Sequence, residues 1–225
     1  MKEDIANKKR VYICSYFKEK TIRKSYFNRN IALYTKLGYD IIVLWMNNEK
    51  DKIIQENIQY IHSDIVNAST ARNKLLQLFY NSQFTEAVFS DDDTIILNQE
   101  ILEKEIDDFD ILSYIINLNS RILDRPIFLS GIFKIKNLKL INKKMIFFDE
   151  NLESNQDVDF GYNANHNGIK IKNVFTRNIL NDQKNSVMFQ DKEDRKRKKE
   201  ESIKTIIKKW NNHGKHISTI SYSGS

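Results

Sequence analysis

The sequence has few of the residues on which many familiar sites depend. A single cysteine, Cys14, among 225 residues excludes an internal disulfide framework, and its position inside an apolar run predicts a small core residue rather than a nucleophile. Six glycines with no Gly-x-Gly cluster exclude the glycine-rich loops that bind dinucleotides or the phosphates of P-loop proteins. The four histidines show no zinc-ligand spacing.

Long apolar runs are also missing, since none approaches the ~18 residues of a membrane span. The first residues are too acidic for a signal peptide, so we expect a cytoplasmic protein with no membrane span. The length and a hydrophobic content of 40% suit one domain over residues 1–217, with a disordered or vector-derived tail at 218–225. We expect two halves, at about 10–97 and 98–186, followed by a charged helix at about 190–210.

The net charge of +6 lies mostly in that last helix. Nine basic and five acidic residues fall between positions 191 and 209. This excess is compatible with a polyanionic partner such as DNA, RNA or a membrane surface. A solvated helix is the preferred explanation, because the charges are mixed.

Alternating apolar and amphipathic segments predict an α/β fold. Apolar runs at 11–15, 41–46 and 58–62 read as parallel strands joined by helices, the first of which ends near Gly38. The second helix has its N-cap candidates at 67–70. Its buried face is expected to carry Ala71, Leu75, Leu78 and Phe79.

The second half has a different pattern. Segments 111–116 and 128–135 are strand-like without a clear helix between them, and 169–174 predicts a further strand. Ser154 and Asp157 have capping-box spacing, which puts Asp157 in the first turn of a helix that ends at Gly168. The charged helix is expected to pack back on the domain through Ile203, Ile206, Ile207 and Trp210.

The most informative stretch is residues 87–97, AVFSDDDTIIL, where an apolar strand runs into three carboxylates. Adjacent carboxylates repel one another, and burial raises their pKa values, so a divalent cation among them would keep them ionised. Oxygen ligands suit Mg²⁺ or Mn²⁺, which usually bridge a carboxylate to substrate phosphates. The alternative is a solvated acidic turn in which one residue caps a helix.

Three motifs occur in order: TARN at 70–73, SDDD at 90–93 and QDVD at 156–159. Over residues 11–186 their sequence and spacing resemble the GT-A glycosyltransferases, in particular the galactosyltransferase-like group with its Asp-x-Asp motif. The resemblance implies a GT-A-like, Rossmann-type mixed sheet flanked by helices. Its first half would bind the nucleotide and its second half the acceptor.

The resemblance also assigns the donor site. Asp91 and Asp93 match the acids that hold the donor ribose and the metal, and Arg72 matches a helix start that touches the nucleotide. Asp92 and Ser15 are counted with the nucleotide-binding candidates. A surface ion pair is the alternative for Arg72.

On the acceptor side, Asp157 matches the general base that deprotonates the attacking hydroxyl, with inversion at the anomeric carbon. Asp159 competes for that role, and a favourable charge at a helix N-terminus is the alternative for both. Gly131 matches a strand position where a missing side chain lets the donor sugar approach the backbone, although a packing bend would explain it too.

Two positions depart from the family pattern. Gln156 replaces the usual Glu, and residues 179–186 contain no histidine to act as second metal ligand. Asn181 or Asp182 is the substitute ligand, and either oxygen favours Mg²⁺ or Mn²⁺.

The resemblance therefore implies a metal-dependent enzyme of the hexosyltransferase type that uses a nucleotide sugar, with a UDP-sugar as the expected donor. The sequence leaves the acceptor open, and a cytoplasmic glycan, a protein and hydroxymethylated DNA are the candidates. Two other classes stay open: a nucleotidyltransferase that activates a sugar phosphate, and a non-catalytic nucleic-acid-binding protein. Aromatic residues that follow the first strand, Tyr16, Phe17, Tyr26 and Phe27, are candidates for stacking on a base.

Overall fold

The computed structural model describes residues 9–17, 21–64, 67–115, 131–181 and 192–214. The expectations for residues 116, 128–130, 182–191 and 215–225 lie outside these ranges. The strands are Lys9–Ser15 (β1), Tyr39–Trp45 (β2), Ile58–His62 (β3), Glu86–Asp91 (β4), Thr94–Ile96 (β5), Ile111–Ile115 (β6), Ile132–Lys136 (β7), Ile171–Phe175 (β8) and Ile179–Asn181 (β9). The helices are Thr21–Lys36 (α1), Ala68–Tyr80 (α2), Glu100–Glu103 (α3), Gln156–His166 (α4) and Lys192–Asn211 (α5).

Seven strands form one mixed sheet in the order β3-β2-β1-β4-β7-β6-β8. The first four are parallel to one another, β7 is antiparallel to both β4 and β6, and β6 is parallel to β8. The predicted α/β class with a mixed, helix-flanked sheet is confirmed. Because β1 and β4 are neighbours and parallel, the segments that follow them meet at one edge of the sheet.

The central strands are apolar on both faces because helices cover both. One core layer lies under α2 and includes Tyr12, Phe79 and Phe89. The other lies under α1 and includes Phe27 and Trp45. Burial on two faces explains why these strands appear in the sequence as continuous apolar runs without alternation.

Helix α2 begins as predicted, with the Asn67 side chain accepting a hydrogen bond from the Thr70 N–H at 3.1 Å. The prediction for its buried face is wrong at one position, because Leu78 is 41% exposed. The buried stripe is centred near Phe79 and extends to Leu76 and Tyr80. Leu78 lies just beyond the opposite edge of that stripe.

Helix α4 ends as predicted, before Gly168 at φ +68. Its start corrects the expected capping box: the N-cap is Asn155, in the left-handed conformation and with no side-chain capping bond. The Ser154 N–H donates instead to Ser202 Oγ on α5, at 3.2 Å. Asp157 still falls in the first turn.

Helix α5 packs back on the domain as predicted. Ile206 and Trp210 are buried, and Ile203 and Ile207 are partly buried against the same cluster. That cluster is completed by Leu152, Val158 and Tyr162, from α4 and the segment before it. None of the helices in the described ranges has the length and apolarity needed to cross a membrane.

The apolar run that resumes after the acids is the short strand β5. It pairs antiparallel with β9, and this register places Thr94 opposite Asn181. Strand β9 therefore lies beside the segment that directly follows the acidic turn.

Candidate active site

The three acids lie where β4 ends, beside the end of β1. Cys14 on β1 is paired with Asp91 in the sheet register. The Asp91 N–H donates to the Gly131 carbonyl oxygen at 2.7 Å, so Gly131 lies at the border of the site, next to the first acid. The carboxyl ends of two adjacent parallel strands thus open into one cleft, which is the usual ligand position in open α/β sheets.

Asp92 points inward and organises the loop after β1. Its carboxylate accepts from the Tyr16 N–H at 2.7 Å and forms an ion pair with Arg23. Ser15 Oγ donates to the same carboxylate at 3.4 Å and accepts from Asn47 Nδ2 at 3.0 Å. The structure therefore places both predicted nucleotide-binding side chains in internal hydrogen bonds, and only Asp92 also lines the cleft.

Asp91 pairs with Arg72, whose guanidinium nitrogen lies 2.5 Å from its carboxylate. The same guanidinium lies over the Phe148 ring, 5.3 Å from its centre. Burial opposes the charged form of Arg72, but the acidic groups around it, Asp91 foremost, together outweigh burial and raise the pKa of the guanidinium. Arg72 is thus a permanent cation at the cleft wall, and its contact with a nucleotide stays a prediction.

Asp93 carries the least compensated charge of the three acids. Burial, followed by the neighbouring Asp91 and Asp92 carboxylates, raises its pKa to about 7. Arg23 opposes this shift from 3.4 Å. Burial likewise raises the pKa of Asp92 to about 6, against its ion pair with Arg23. A divalent cation would offset both the burial and the repulsion that raise these two pKa values.

Asp157 lies close to the same network, at the start of α4. Burial raises its pKa, and Arg72 and the N–H groups of the first helical turn lower it. The Asp91 carboxylate adds a smaller upward shift. The adjacent Gln156 lines the cleft, and its side-chain amide donates to the Leu152 carbonyl at 3.0 Å. The structure thus brings the second and third sequence motifs together.

Asp159 has a different environment. It is fully buried, and its two oxygens accept from Lys209 Nζ at 2.9 Å and from Trp210 Nε1 at 2.8 Å. Neither Asp159 nor Asp157 is among the residues that line the cleft, although Gln156, next to Asp157, is. The two competing candidates for the base are therefore separated: Asp159 fastens α5 to α4, and Asp157 lies near Arg72 and Asp91.

Sequence reasoning missed several side chains of the cleft. Arg23 comes from the first turn of α1, and Met46 and Asn67 follow β2 and precede α2. Their positions in the sequence could have indicated them, because each of these residues lies near the carboxyl end of a parallel strand or the start of a helix. Of the four aromatic candidates, Tyr16 lines the cleft, whereas Phe17 and Phe27 are core residues. The full lining is Cys14, Tyr16, Arg23, Met46, Asn67, Ala68, Ala71, Arg72, Asp91, Asp92, Asp93, Glu153 and Gln156.

The donor set fits a hard divalent cation that shares its ligands with a substrate. Asp91 and Asp93 supply carboxylate oxygens, and Mg²⁺ or Mn²⁺ is commonly held by one or two carboxylates plus substrate phosphates. In the part of the chain that the structure describes, no group of three or more His, Cys, Asp or Glu is arranged to hold a metal by itself. The backbone of Asn181 lies opposite Thr94, and Asp182 is outside the described ranges.

No model of a protein family matches the chain, and no curated protein sequence matches it either. Solved structures do. S. aureus TarS 1-349 in complex with UDP is 18% identical, with a TM-score of 0.50, over 75% of this chain and 60% of that one. A variant of Drosophila β1,4-galactosyltransferase 7 in complex with manganese, UDP-Gal and xylobiose is 13% identical, with a TM-score of 0.42, over 73% and 64%. The 4-diphosphocytidyl-2C-methyl-D-erythritol synthase of Anaerococcus prevotii is 11% identical, with a TM-score of 0.48, over 79% and 94%.

The likeness to TarS confirms the fold expected from the sequence, which is the GT-A fold. The chain spans about 60% of the length of that TarS fragment. At this level of identity the likeness shows the fold alone, and the activity depends on the side chains of the cleft.

Proposed function

We propose that the protein is a metal-dependent glycosyltransferase that moves a sugar from a UDP-sugar to an acceptor hydroxyl, with inversion. The observation that carries the proposal is the charge arrangement in the cleft. Arg72 pairs with Asp91 and also acts electrostatically on Asp157, and Asp93 follows Asp91 with a pKa raised to about 7. A carboxylate pair, a fixed cation and a separate carboxylate are the groups that transfer from a diphosphate donor requires.

On the donor side, Asp91 and Asp93 would hold Mn²⁺ or Mg²⁺, and Arg72 would contact the diphosphate or the ribose. When bound, the ion neutralises the charge that develops on the departing nucleoside diphosphate. Arg72 adds a charge-assisted hydrogen bond at the same place. TarS with bound UDP and the Drosophila enzyme with manganese and UDP-Gal support this donor class. Gly131 at the border of the site remains a proposed sugar contact.

On the acceptor side, Asp157 would take the proton of the attacking hydroxyl. The acceptor oxygen forms a bond to the anomeric carbon while the bond from that carbon to the diphosphate oxygen breaks, and the hydroxyl proton ends on the Asp157 carboxylate. A raised pKa makes this carboxylate a stronger base than an ordinary Asp. Attack from the face opposite the leaving group inverts the anomeric carbon. Asp159 is the weaker proposal for this role, because both of its carboxylate oxygens already accept hydrogen bonds from side chains of α5.

The test is nucleotide release from a panel of UDP-sugars, GDP-sugars and CDP-sugars with Mn²⁺ or Mg²⁺. We expect metal-dependent release of one nucleoside diphosphate, even with water as a slow acceptor. Asp93→Asn should abolish it, while Asp108→Asn, at an exposed acid, should not. Release of pyrophosphate from a nucleoside triphosphate and a sugar phosphate would instead establish the nucleotidyltransferase alternative.

A further inference from the structure

Asn73, the last residue of the TARN motif, holds the segment that precedes α4. Its side-chain amide nitrogen donates to the Phe148 carbonyl at 2.9 Å, and its Oδ1 accepts from the Phe148 N–H at 2.8 Å. The same nitrogen donates to the Glu150 carboxylate at 2.8 Å. One side chain thus pairs with both peptide groups of Phe148, as a neighbouring strand does in an antiparallel sheet. The pairing needs the donor and the acceptor that an amide combines.

The Phe148 ring lies between two parts of the proposed site. On one side is the Arg72 guanidinium, 5.3 Å from the ring centre. On the other side the ring stacks on Phe160 of α4, with the ring centres 4.4 Å apart and the planes 27° apart. Both phenylalanines are buried. A ring packed in this way cannot shift without moving its neighbours.

Helix α4 carries the proposed base. Asp157 is its second residue and precedes Phe160 by three positions. Gln156, the first residue of α4, lines the same cleft as Arg72. The contact between the two phenylalanine rings therefore fixes α4 within one turn of the proposed base.

We propose that Asn73 is a positioning residue: by holding Phe148 between Arg72 and Phe160, it sets the place of Asp157 relative to the donor-side cation. This inference rests on the proposed function and deepens it. A positioning residue acts on the chemical step, since displacing a catalytic group by about 1 Å can cost about 10²-fold in rate.

The first test compares turnover with donor binding. UDP release from a panel of UDP-sugars with Mn²⁺ gives kcat and KM, and calorimetry gives the Kd of UDP with Mn²⁺. Asn73→Ala should lower kcat at least tenfold because α4 is no longer held in place. The Kd of UDP should change less than threefold, because Arg72 keeps its ion pair with Asp91.

The matched control is Asn137→Ala. Asn137 is buried, and its side-chain amide donates to the Phe79 carbonyl at 2.9 Å, near the other end of α2. Losing this amide should destabilise the fold at least as much as losing Asn73, because the Asn137 side chain is the more buried of the two. With both variants assayed well below their unfolding temperatures, kcat of Asn137→Ala should stay within threefold of the parent.

Phe148→Leu tests whether Asn73 acts through the ring. We expect this variant to lower kcat about as much as Asn73→Ala does. Adding Asn73→Ala to it should lower kcat by less than a further threefold, because the ring that Asn73 places is already missing. Losses that multiply in the double variant would overturn the inference.

Hydrogen exchange of the folded protein supplies a measurement that needs no turnover. Asn73→Ala should speed the exchange of the α4 amides at least tenfold, and Asn137→Ala should leave it within threefold of the parent. Unchanged exchange in Asn73→Ala, or equal losses of kcat in the two asparagine variants, would also overturn the inference. If the parent neither binds UDP nor releases it, the proposed function fails instead, and exchange alone then decides whether Asn73 positions α4.

Discussion

Three identical neighbours, Asp91, Asp92 and Asp93, have three different environments. The first pairs with Arg72, and the second is buried against Arg23 and the Tyr16 N–H. The third, Asp93, has a pKa raised to about 7, which is higher than the value of about 6 for Asp92. One acid therefore positions the loop after β1, and the other two are available to a metal.

Asp93 should destabilise the metal-free protein above neutral pH. Its pKa rises from 3.8 to about 7 on folding, so the folded state holds a proton that the unfolded chain has already lost. Raising the pH through this window therefore lowers the free energy of unfolding. We expect metal-free Asp93→Asn to be more stable than the parent at pH 8 by about 1–4 kcal/mol, with little difference near pH 4. Urea unfolding in EDTA at both pH values measures it.

The control for that experiment is Asp108→Asn, which removes an exposed carboxylate. It should leave the free energy of unfolding within about 0.5 kcal/mol of the parent at both pH values. If Asp93→Asn were equally neutral at pH 8, the repulsion assigned to the acidic turn would be wrong.

Substitution of Asp157 should affect activity, whereas substitution of Asp159 should affect stability. Asp157→Asn removes the proposed base, so turnover should fall about 10²- to 10⁴-fold while UDP and Mn²⁺ still bind. Asp159→Asn weakens the buried contact with Lys209, so the free energy of unfolding should fall by about 1–3 kcal/mol. Steady-state kinetics and urea unfolding are measured on both variants. The assignment of the base is reversed if Asp159→Asn alone abolishes turnover in a stable protein.

Helix α5 belongs to the folded domain and also reaches the proposed acceptor side. Its last turns bury Ile206 and Trp210 against α4, and its middle contacts Asn155. A helix with so many charges is marginal alone, so its helical state depends on this packing. We therefore expect the stability of α5 and the position of the start of α4, which carries Asp157, to be coupled.

Trp210 contributes both a buried ring and a hydrogen bond to the packing of α5. Trp210→Ala removes a buried ring and the hydrogen bond to Asp159, and it should lower the free energy of unfolding by about 3–5 kcal/mol. Lys208→Ala, two residues away and exposed, should change it by less than about 0.5 kcal/mol. Urea unfolding followed by far-UV circular dichroism tests the pair. A similar change in the free energy of unfolding for the two variants would mean that α5 is not packed as described.

The sequence predicted the parallel half of the fold well, because most strands there contain continuous apolar runs, α1 has a termination signal at Gly38 and α2 has its N-cap candidates. It was less informative where a contact joins distant segments. Arg23 reaches Asp92 across 69 positions, and Ser154 bonds to Ser202 of α5 instead of capping α4. The pairing of β5 with β9 is of the same kind. Such pairings depend on the assembled sheet and leave no local pattern.

At the scale of the whole molecule, the net charge of +6 conceals a division. Carboxylates cluster at the carboxyl end of β4, and cations extend along α5, with Arg72 and Asp157 between them. The acids and Arg72 line the cleft for which we propose a metal-bound nucleoside diphosphate. A GT-A fold supplies the frame for this cleft, but the activity depends on these side chains.

The most direct test of this account is calorimetric binding of UDP to the parent protein and to Asp93→Asn, each with and without Mn²⁺. We predict binding to the parent that strengthens at least tenfold with Mn²⁺, and no metal effect in the variant. GDP, CDP and ADP should bind more weakly than UDP. Absence of UDP binding under every condition, or equal Mn²⁺ enhancement in Asp93→Asn, would contradict the assignment of this cleft to a metal-bound nucleoside diphosphate.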